Sequence, residues 1–308
     1  MIIEFLQQAD VNPGSRAIYQ KCIRYFFSWM VRTGRKPAST TRADIIDYKT
    51  ELLEVKKLST HSVALYMAVL KQYFKYVERV GFFKSDPTLG VRIPRRTAKV
   101  QKYPIDLQLL KELADHIGSN TPEARRDQAI IFLGFSLGLR NIEISRLTLG
   151  DITINGGEVQ AKVKGKGSKY TPVQMVIPSH TWKLICEYFK KDRPFNKPLA
   201  ELISKSELRD TPLFTRFKRK KHIKEATLQP GSISIIISGR LRAFGLGPNY
   251  TAHSLRHGLA FHLLKLNLDL HSIKRIMRHH SISTTQLYLI SVEDELPLET
   301  EKYLLALK

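Results

Sequence analysis

The 308-residue chain has few cysteines, a shortage of acidic residues and no long apolar run. Its two cysteines, Cys22 and Cys186, lie far apart in sequence, which excludes a disulfide framework or a cysteine-based zinc site and fits a reducing compartment. The N-terminal sequence MIIEFLQQAD lacks the basic and apolar regions of a signal peptide, and no stretch of eighteen apolar residues follows it. We therefore expect a cytoplasmic protein that has no membrane partner.

Acidic residues are outnumbered, with 28 Asp and Glu against 50 Lys and Arg, which gives a net charge of +22. Residues 1–100 carry +10 of this charge and residues 101–308 carry +12, so the excess belongs to both halves. A surface charged only for solubility usually mixes both signs and stays closer to neutral. The excess therefore indicates a polyanionic partner that contacts both halves, and nucleic acid is the commonest one.

The length predicts two domains, and the first, residues 1–90, has the pattern of an all-helical domain. Apolar residues recur there at three- and four-residue intervals, and Thr41 and Ser59 are placed to cap two helices. The first such series is Ile18, Cys22, Tyr25, Phe26 and Trp29. Aromatic residues at this spacing usually form a core, so they indicate no base stacking.

A basic linker is predicted at residues 91–103, where helical periodicity stops and Pro94 limits helix formation. Its cations are Arg92, Arg95, Arg96, Lys99 and Lys102. These five side chains can follow a phosphate backbone, and we expect them to bind DNA. A merely solvated linker is the alternative.

The second domain, residues 104–290, is expected to be mainly α with a small antiparallel β-sheet. Helices are predicted at 106–116, 124–135 and 181–189, and again from Ile233, His253 and Ser272. Between the first two and the third lie three strand patterns, at 151–154, 158–163 and 171–177. The cationic run 216–221 is predicted to be a DNA-facing or disordered loop.

Four segments of the second domain carry residues suited to phosphate chemistry: 138–144 (GLRNIEI), 164–167 (KGKG), 253–257 (HSLRH) and 279–288 (HHSISTTQLY). Arginine offers a planar set of N–H donors that matches the oxygens of a phosphodiester. His253 and Arg256 are one helical turn apart and can share a face. Tyr288 supplies a nucleophile.

Together these segments resemble the motifs of the tyrosine recombinase (phage integrase) family, which includes the Cre, Xer and lambda integrase types. The resemblance covers most of the chain and implies an N-terminal core-binding (SAM-like) domain and a C-terminal catalytic domain that form a C-shaped DNA clamp. It also implies that Glu143 orients the first catalytic arginine. The catalytic residues that it implies are Arg140, Lys166, His253, Arg256, His279 and the nucleophile Tyr288.

The same resemblance implies a site-specific recombinase that acts as a homotetramer on two double-stranded DNA sites, with accessory proteins and a nucleoid location. Tyr288 would form a 3′-phosphotyrosyl link, which conserves bond energy, and the arginines would stabilise charge in place of a metal. We therefore expect no cofactor and no metal. The alternatives are a type IB topoisomerase, which uses the same chemistry without paired sites, and a non-catalytic architectural DNA-binding protein.

Other interpretations of single residues also stay open. Lys162, Lys164 and Lys169 compete with Lys166, which is favoured because two glycines flank it. His253 and His257, with His279 and His280, could suggest a metal, but Arg256 lies between the first pair and would repel a cation. Glu143 could be an ordinary salt-bridge partner. The tail, residues 291–308, is expected to dock on a neighbouring protomer, with packing on its own domain as the alternative.

Overall fold

The computed structural model describes residues 1–9, 11, 13–94, 103–165, 171–193, 195, 197–218 and 221–279. The chain divides into two compact units, Met1–Val100 and Gln101–Lys308. Within the described ranges, no helix is long and apolar enough to cross a membrane.

The first unit is helical, as predicted. Its helices are α1 (Ile2–Gln8), α2 (Pro13–Arg32), α3 (Arg42–Thr50) and α4 (Thr60–Arg79), and a π-helical turn, Glu51–Val55, extends α3. Both predicted caps are present, since the Thr41 hydroxyl accepts from the Asp44 N–H and the Ser59 hydroxyl accepts from the Ser62 N–H. Helix α1 has no counterpart among the predicted helices.

Aromatic side chains fill the core of the first unit. The ring of Phe26 meets the rings of Tyr48 and Phe74 edge to face, with centroids 4.9 and 5.8 Å apart. Cys22 and Trp29 are also buried, but Ile18 is 46% exposed and does not belong to this core. The aromatic residues of α2 therefore serve packing, which agrees with the absence of any base-stacking prediction.

The second unit combines helices with two small antiparallel sheets, which confirms the predicted class. Its helices are α5 (Leu107–Ile117), α6 (Pro122–Ser136), α7 (Asn141–Arg146), α8 (Ser179–Asp192), α9 (Leu199–Ile203), α10 (Pro230–Ala243), α11 (Ala252–Lys265) and α12 (Leu270–Met277). Helix α6 is buried along most of its length and packs against α8 and α11. It is the central helix of the unit, and the turn that follows it carries Arg140.

The larger sheet has the order β1-β2-β3, with β1 (Ile152–Asn155), β2 (Glu158–Val163) and β3 (Val173–Val176) all antiparallel. Its strands match the three predicted ones to within two residues. Ala161 of β2 lies between Ile152 and Met175, so the two cross-strand registers run without a bulge. The sheet thereby holds the two ends of the β2–β3 connection together.

The cationic run 216–221 was predicted to be a loop, and this prediction is wrong for most of it. Strand β4 (Thr215–Lys218) pairs with β5 (Lys221–Thr227) as a second antiparallel sheet. Thr215 is buried, and the guanidinium of Arg126 lies over the Phe217 ring, 4.8 Å from its centroid, which is close enough for a cation–π contact. The alternation of packed and cationic residues is typical of a strand, and the charges masked it.

The chain enters the second unit against helix α11. The Ile105 N–H donates to the Ser254 carbonyl at 3.2 Å. One turn further along α11, a Cβ atom at Gly258 would lie 1.9 Å from the Ile105 carbonyl oxygen. Only glycine permits this approach, so residue 258 fixes how closely the entering segment packs on the helix.

Candidate active site

The turn between α6 and α7 forms the centre of the site. Gly138 has a φ of +55°, and a Cβ there would lie 3.0 Å from Leu259 Cδ2 and 3.2 Å from Met277 Sδ. Glycine is therefore required both by the backbone conformation and by the space. The Gly138 carbonyl accepts hydrogen bonds from Arg256 Nη1 and from Arg278 Nη2. This one peptide thus connects the turn with helix α11 and with the end of α12.

Arg140 follows that turn and immediately precedes α7, where Glu143 holds it at two points. Its backbone N–H donates to Glu143 Oε2 at 2.9 Å, and its Nη1 donates to Glu143 Oε1 at 3.0 Å. The Glu143 side chain is 0% exposed, whereas that of Arg140 is 29% exposed. The arginine is therefore anchored from inside the protein and keeps part of its guanidinium accessible.

The electrostatic state of Glu143 follows from its neighbours. Burial alone raises the pKa of a carboxyl, but the charge of Arg278, the Arg140 N–H and the charge of Arg140 outweigh it and hold the pKa of Glu143 below its ordinary value. Glu143 is thus a buried carboxylate. Its interaction with Arg140 is therefore not the ordinary surface salt bridge that was the alternative interpretation of Glu143.

His253 and Arg256 both lie in the first turns of α11, as the HxxR spacing predicts. Thr251 is the N-cap of this helix, and its backbone N–H donates to the hydroxyl of Ser254 at 3.0 Å. His253 is exposed, while Arg256 is buried and donates to the carbonyls of Gly138 and Met277. Two backbone oxygens therefore fix the plane of the Arg256 guanidinium.

His279 directly follows α12 and is buried within the same group of cations. Its backbone N–H donates to the Lys274 carbonyl, and the residue is 7% exposed. Burial first, and then the positive charges of Arg256, Arg140, Arg278 and His257, lower the pKa of His279 to about 3. The imidazole is therefore neutral at physiological pH and offers one N–H donor.

Arg278 also belongs to this cluster, although it was not among the predicted site residues. Its Nη2 donates to Glu143 Oε2 at 2.9 Å, and its Nη1 donates to the Leu137 carbonyl at 3.2 Å. The side chain is only 10% exposed. Nothing in the sequence indicates an inward direction, because an arginine beside two histidines is typical of a surface.

The structure describes two of the four lysines that compete for the catalytic role, Lys162 and Lys164. Lys164 forms an ion pair with the buried Asp151 at 3.0 Å, and Lys162 lies within β2 opposite Gln174. Lys166 and Lys169 lie outside the described residues, as do Tyr288 and His280. Of the linker cations, Arg92 is described and exposed, while Arg95, Arg96, Lys99 and Lys102 lie outside the described residues, as does the tail 291–308.

The described part of the predicted site is thus brought together as Arg140, Glu143, Arg256 and His279, and His253 lies on the helix that carries Arg256. Over the described ranges, the structure contains no group of three or more histidine, cysteine, aspartate or glutamate residues that could hold a metal ion. The cluster offers cationic and neutral N–H donors. Chemically, it is suited to an anion with several oxygens, such as a phosphodiester.

Family models match both units. Residues 105–294 match the phage integrase family, and residues 1–80 match the phage integrase N-terminal SAM-like domain. The chain therefore belongs to the phage integrase family. It is a tyrosine recombinase, an enzyme of site-specific recombination, and the topoisomerase and architectural alternatives are not favoured.

Curated relatives extend over nearly the whole chain. The chain is 28% identical to the tyrosine recombinase XerD of Listeria innocua over 294 residues, which covers 94% of this chain and 93% of that protein. It is 31% identical to the tyrosine recombinase XerC of Pseudomonas syringae pv. syringae over 233 residues, 75% of this chain and 69% of that protein.

Solved structures show the same fold at lower sequence identity. The XerH site-specific recombinase, in a post-cleavage complex with a palindromic difH substrate, has a TM-score of 0.65 at 18% identity and covers 94% of this chain and 80% of its own. The Tn1549 transposon integrase, in complex with transposon right end DNA, has a TM-score of 0.68 at 13% identity, with coverage of 97% and 99%.

Proposed function

We propose that this recombinase cleaves and rejoins duplex DNA at specific sites through Tyr288, with Arg140 and Arg256 holding the scissile phosphate. The observation that carries this proposal is the convergence of Arg140, Arg256 and His279 from three different helix ends around the Gly138 turn. Residues so distant in sequence form an anion site only in the folded chain. Their donors are fixed in advance by Glu143 and by backbone carbonyls, so little reorganisation accompanies the reaction.

The chemical step transfers a phosphodiester from one oxygen to another. A bond forms between Tyr288 Oη and the phosphorus, the bond from phosphorus to the 5′-oxygen breaks, and the 5′-hydroxyl leaves with a proton. His253 is assigned as the base that takes the tyrosine proton, and Lys166 as the acid that protonates the leaving oxygen, although the two can share these roles. Attack by a 5′-hydroxyl from a partner DNA reverses the step and joins strands in a new pairing.

The remaining members of the site stabilise the negative charge that develops at phosphorus. The two arginines donate to the equatorial oxygens, and neutral His279 donates its N–H to one of them. No metal ion or cofactor is needed in this scheme, because the arginines supply the positive charge and the covalent link conserves the bond energy. Strand cleavage should accordingly persist in EDTA.

The assembly that we propose is a homotetramer on two DNA sites, with the tail 291–308 docking on a neighbouring protomer. The basic linker, residues 91–103, would follow the phosphate backbone and join a DNA-binding unit, 1–90, to the catalytic domain, 104–290. What supports this is the charge excess in both halves of the chain. Accessory proteins and a nucleoid location belong to the same proposal.

A nicked suicide duplex that carries the recombination site tests the proposal. Wild-type protein should become covalently attached to the duplex, as seen on a denaturing gel, and Tyr288→Phe should bind the same DNA with equal affinity and form no covalent product. A normal covalent yield from Tyr288→Phe would remove Tyr288 from the role. If strand exchange did not require a second specific site, the topoisomerase alternative would replace the recombinase.

A further inference from the structure

Arg278 connects four separate segments through one buried guanidinium. Its Nη1 donates to the Leu137 and Ile276 carbonyls at 3.2 Å each and contacts the Met175 sulfur of β3. Its Nη2 donates to the Gly138 carbonyl at 3.2 Å and to Glu143 Oε2 at 2.9 Å. The side chain is directed into the protein, against Glu143, and is only 10% exposed.

The backbone of Arg278 shows that this placement has a cost. Its φ and ψ are 53° and 44°, in the left-handed helical region, which residues other than glycine and asparagine rarely occupy. Glycine would fit this position without strain. A long cationic side chain here therefore calls for an explanation in what its charge does.

The charge balance around Glu143 provides that explanation. Glu143 is fully buried, and its two oxygens are divided: Oε1 accepts from Arg140 Nη1, and Oε2 accepts from the Arg140 N–H and from Arg278. If Glu143 had Arg140 as its sole counter-charge, the two would neutralise each other. Arg278 balances the negative charge of Glu143 from the interior of the protein. The positive charge of Arg140 therefore remains available at its solvent-exposed part.

We propose that Arg278 is a positioning residue of the cleavage site, which compensates the charge of Glu143 and so preserves the attraction of Arg140 for the scissile phosphate. This inference rests on the proposed function of Arg140. Arg278 itself does not touch DNA. With Arg278, the group of Arg140, Arg256, Arg278 and Glu143 carries a net charge of +2, and without Arg278 it carries +1.

A pair of substitutions separates charge from packing. Arg278→Lys and Arg278→Gln both keep an L-residue in the same strained backbone and both lose the guanidinium fork, but only lysine keeps the charge. The measurement is the single-turnover rate of cleavage of the suicide duplex at saturating DNA. We expect Arg278→Gln to cleave at least tenfold more slowly than wild type, and Arg278→Lys to cleave within about threefold of the wild-type rate. The Kd for DNA should change less than threefold in both.

The control is Asn267→Gln, which places glutamine at another left-handed position, the exposed residue 267, with a φ of 58°. We expect wild-type cleavage and binding from it. If Arg278→Gln and Arg278→Lys lose cleavage to the same extent, or if Kd rises as much as the rate falls, the role of Arg278 is structural and the inference is wrong. Arg278→Gly, which suits the backbone, replaces Gln if the Gln variant does not fold.

A double variant tests whether Arg278 acts through Glu143. In Glu143→Gln with Arg278→Gln, no carboxylate remains to neutralise Arg140, so the double variant should cleave at least threefold faster than Arg278→Gln alone. A double variant that is as slow as the single one, or slower, overturns the mechanism. Formation of the covalent complex by the wild-type protein is measured before the variants are compared. If the wild-type protein forms none, the proposed function itself is refuted.

Discussion

The carbonyl oxygen of Gly138 accepts a hydrogen bond from Arg256, which lies 118 residues further along the chain. Because Gly138 is two residues before Arg140, this bond sets the first arginine and the second relative to each other. Arg278 also donates to this carbonyl oxygen, and it ties the same peptide to Glu143. The spacing of Arg140 and Arg256 is therefore determined by one backbone peptide and by the turn that presents it.

Gly138→Ala should accordingly damage both stability and cleavage. The left-handed backbone costs an alanine about 1–2 kcal/mol, and the new methyl group would crowd Leu259 and Met277. Gly156→Ala is the matched control, because Gly156 also has a φ of +55° but has open space around it. Thermal unfolding should show a larger loss for Gly138→Ala, and its cleavage rate should fall while that of Gly156→Ala stays normal. Equal losses in both variants would mean that only strain matters at residue 138.

Arg256→Lys should cleave slowly although it preserves the charge. Arg256 donates to two backbone carbonyls from one planar guanidinium of five N–H donors, an arrangement that a single ammonium cannot reproduce. Loss of one such transition-state donor typically lowers the rate about 10²–10³-fold. Arg146→Lys, at the exposed end of α7, is the control. Single-turnover cleavage at saturating DNA measures the effect, and a native rate from Arg256→Lys would contradict the planar clamp.

His279 should make the folded protein sensitive to acid below neutral pH. The folded pKa is about 3, against about 6.5 in the unfolded chain, so between these values the unfolded state binds one more proton. Stability therefore falls as the pH is lowered through this window, with a limiting slope of about 1.4 kcal/mol per pH unit from this group. His279→Gln should flatten the dependence of unfolding free energy on pH from 6.5 downward. An unchanged slope would show that His279 is not the responsible group.

Neutralising Arg92, Arg95, Arg96 and Lys99 should weaken binding to specific and random DNA alike. Phosphate contacts carry no sequence information, and each one lost should reduce the salt dependence of log K by about 0.9. Binding titrations at several salt concentrations measure this. Cleavage at saturating DNA should remain near the wild-type rate, because these cations set affinity and leave the chemistry to the second unit. A specific loss confined to the recombination site would argue for base recognition instead.

Local patterns predicted much of this structure, and tertiary contacts account for what they missed. Thr41, Ser59 and the HxxR spacing at His253 act within one helical turn, so their effects can be read from neighbouring residues. The Arg278 contact with Glu143 joins residues 135 positions apart, through a backbone conformation that arginine rarely adopts. No local pattern contains that information.

The second sheet illustrates another reason for error. Its residues 215–217 alternate in burial as a strand does, but the cationic side chains in and around them dominate any average of hydropathy. The predicted loop followed from charge alone. A short strand can be specified by two inward side chains, here Thr215 and Phe217, and such a small signal is easily hidden.

The contact of Ile105 with α11 has a mechanical consequence. Ile105 cannot slide along the helix without breaking its hydrogen bond to Ser254, and its carbonyl oxygen occupies the space that any side chain at Gly258 would need. A force applied to the chain at Ile105 is therefore transmitted directly to α11, the helix that carries His253 and Arg256. Tension on the chain at Ile105 would therefore change the orientation of Arg256.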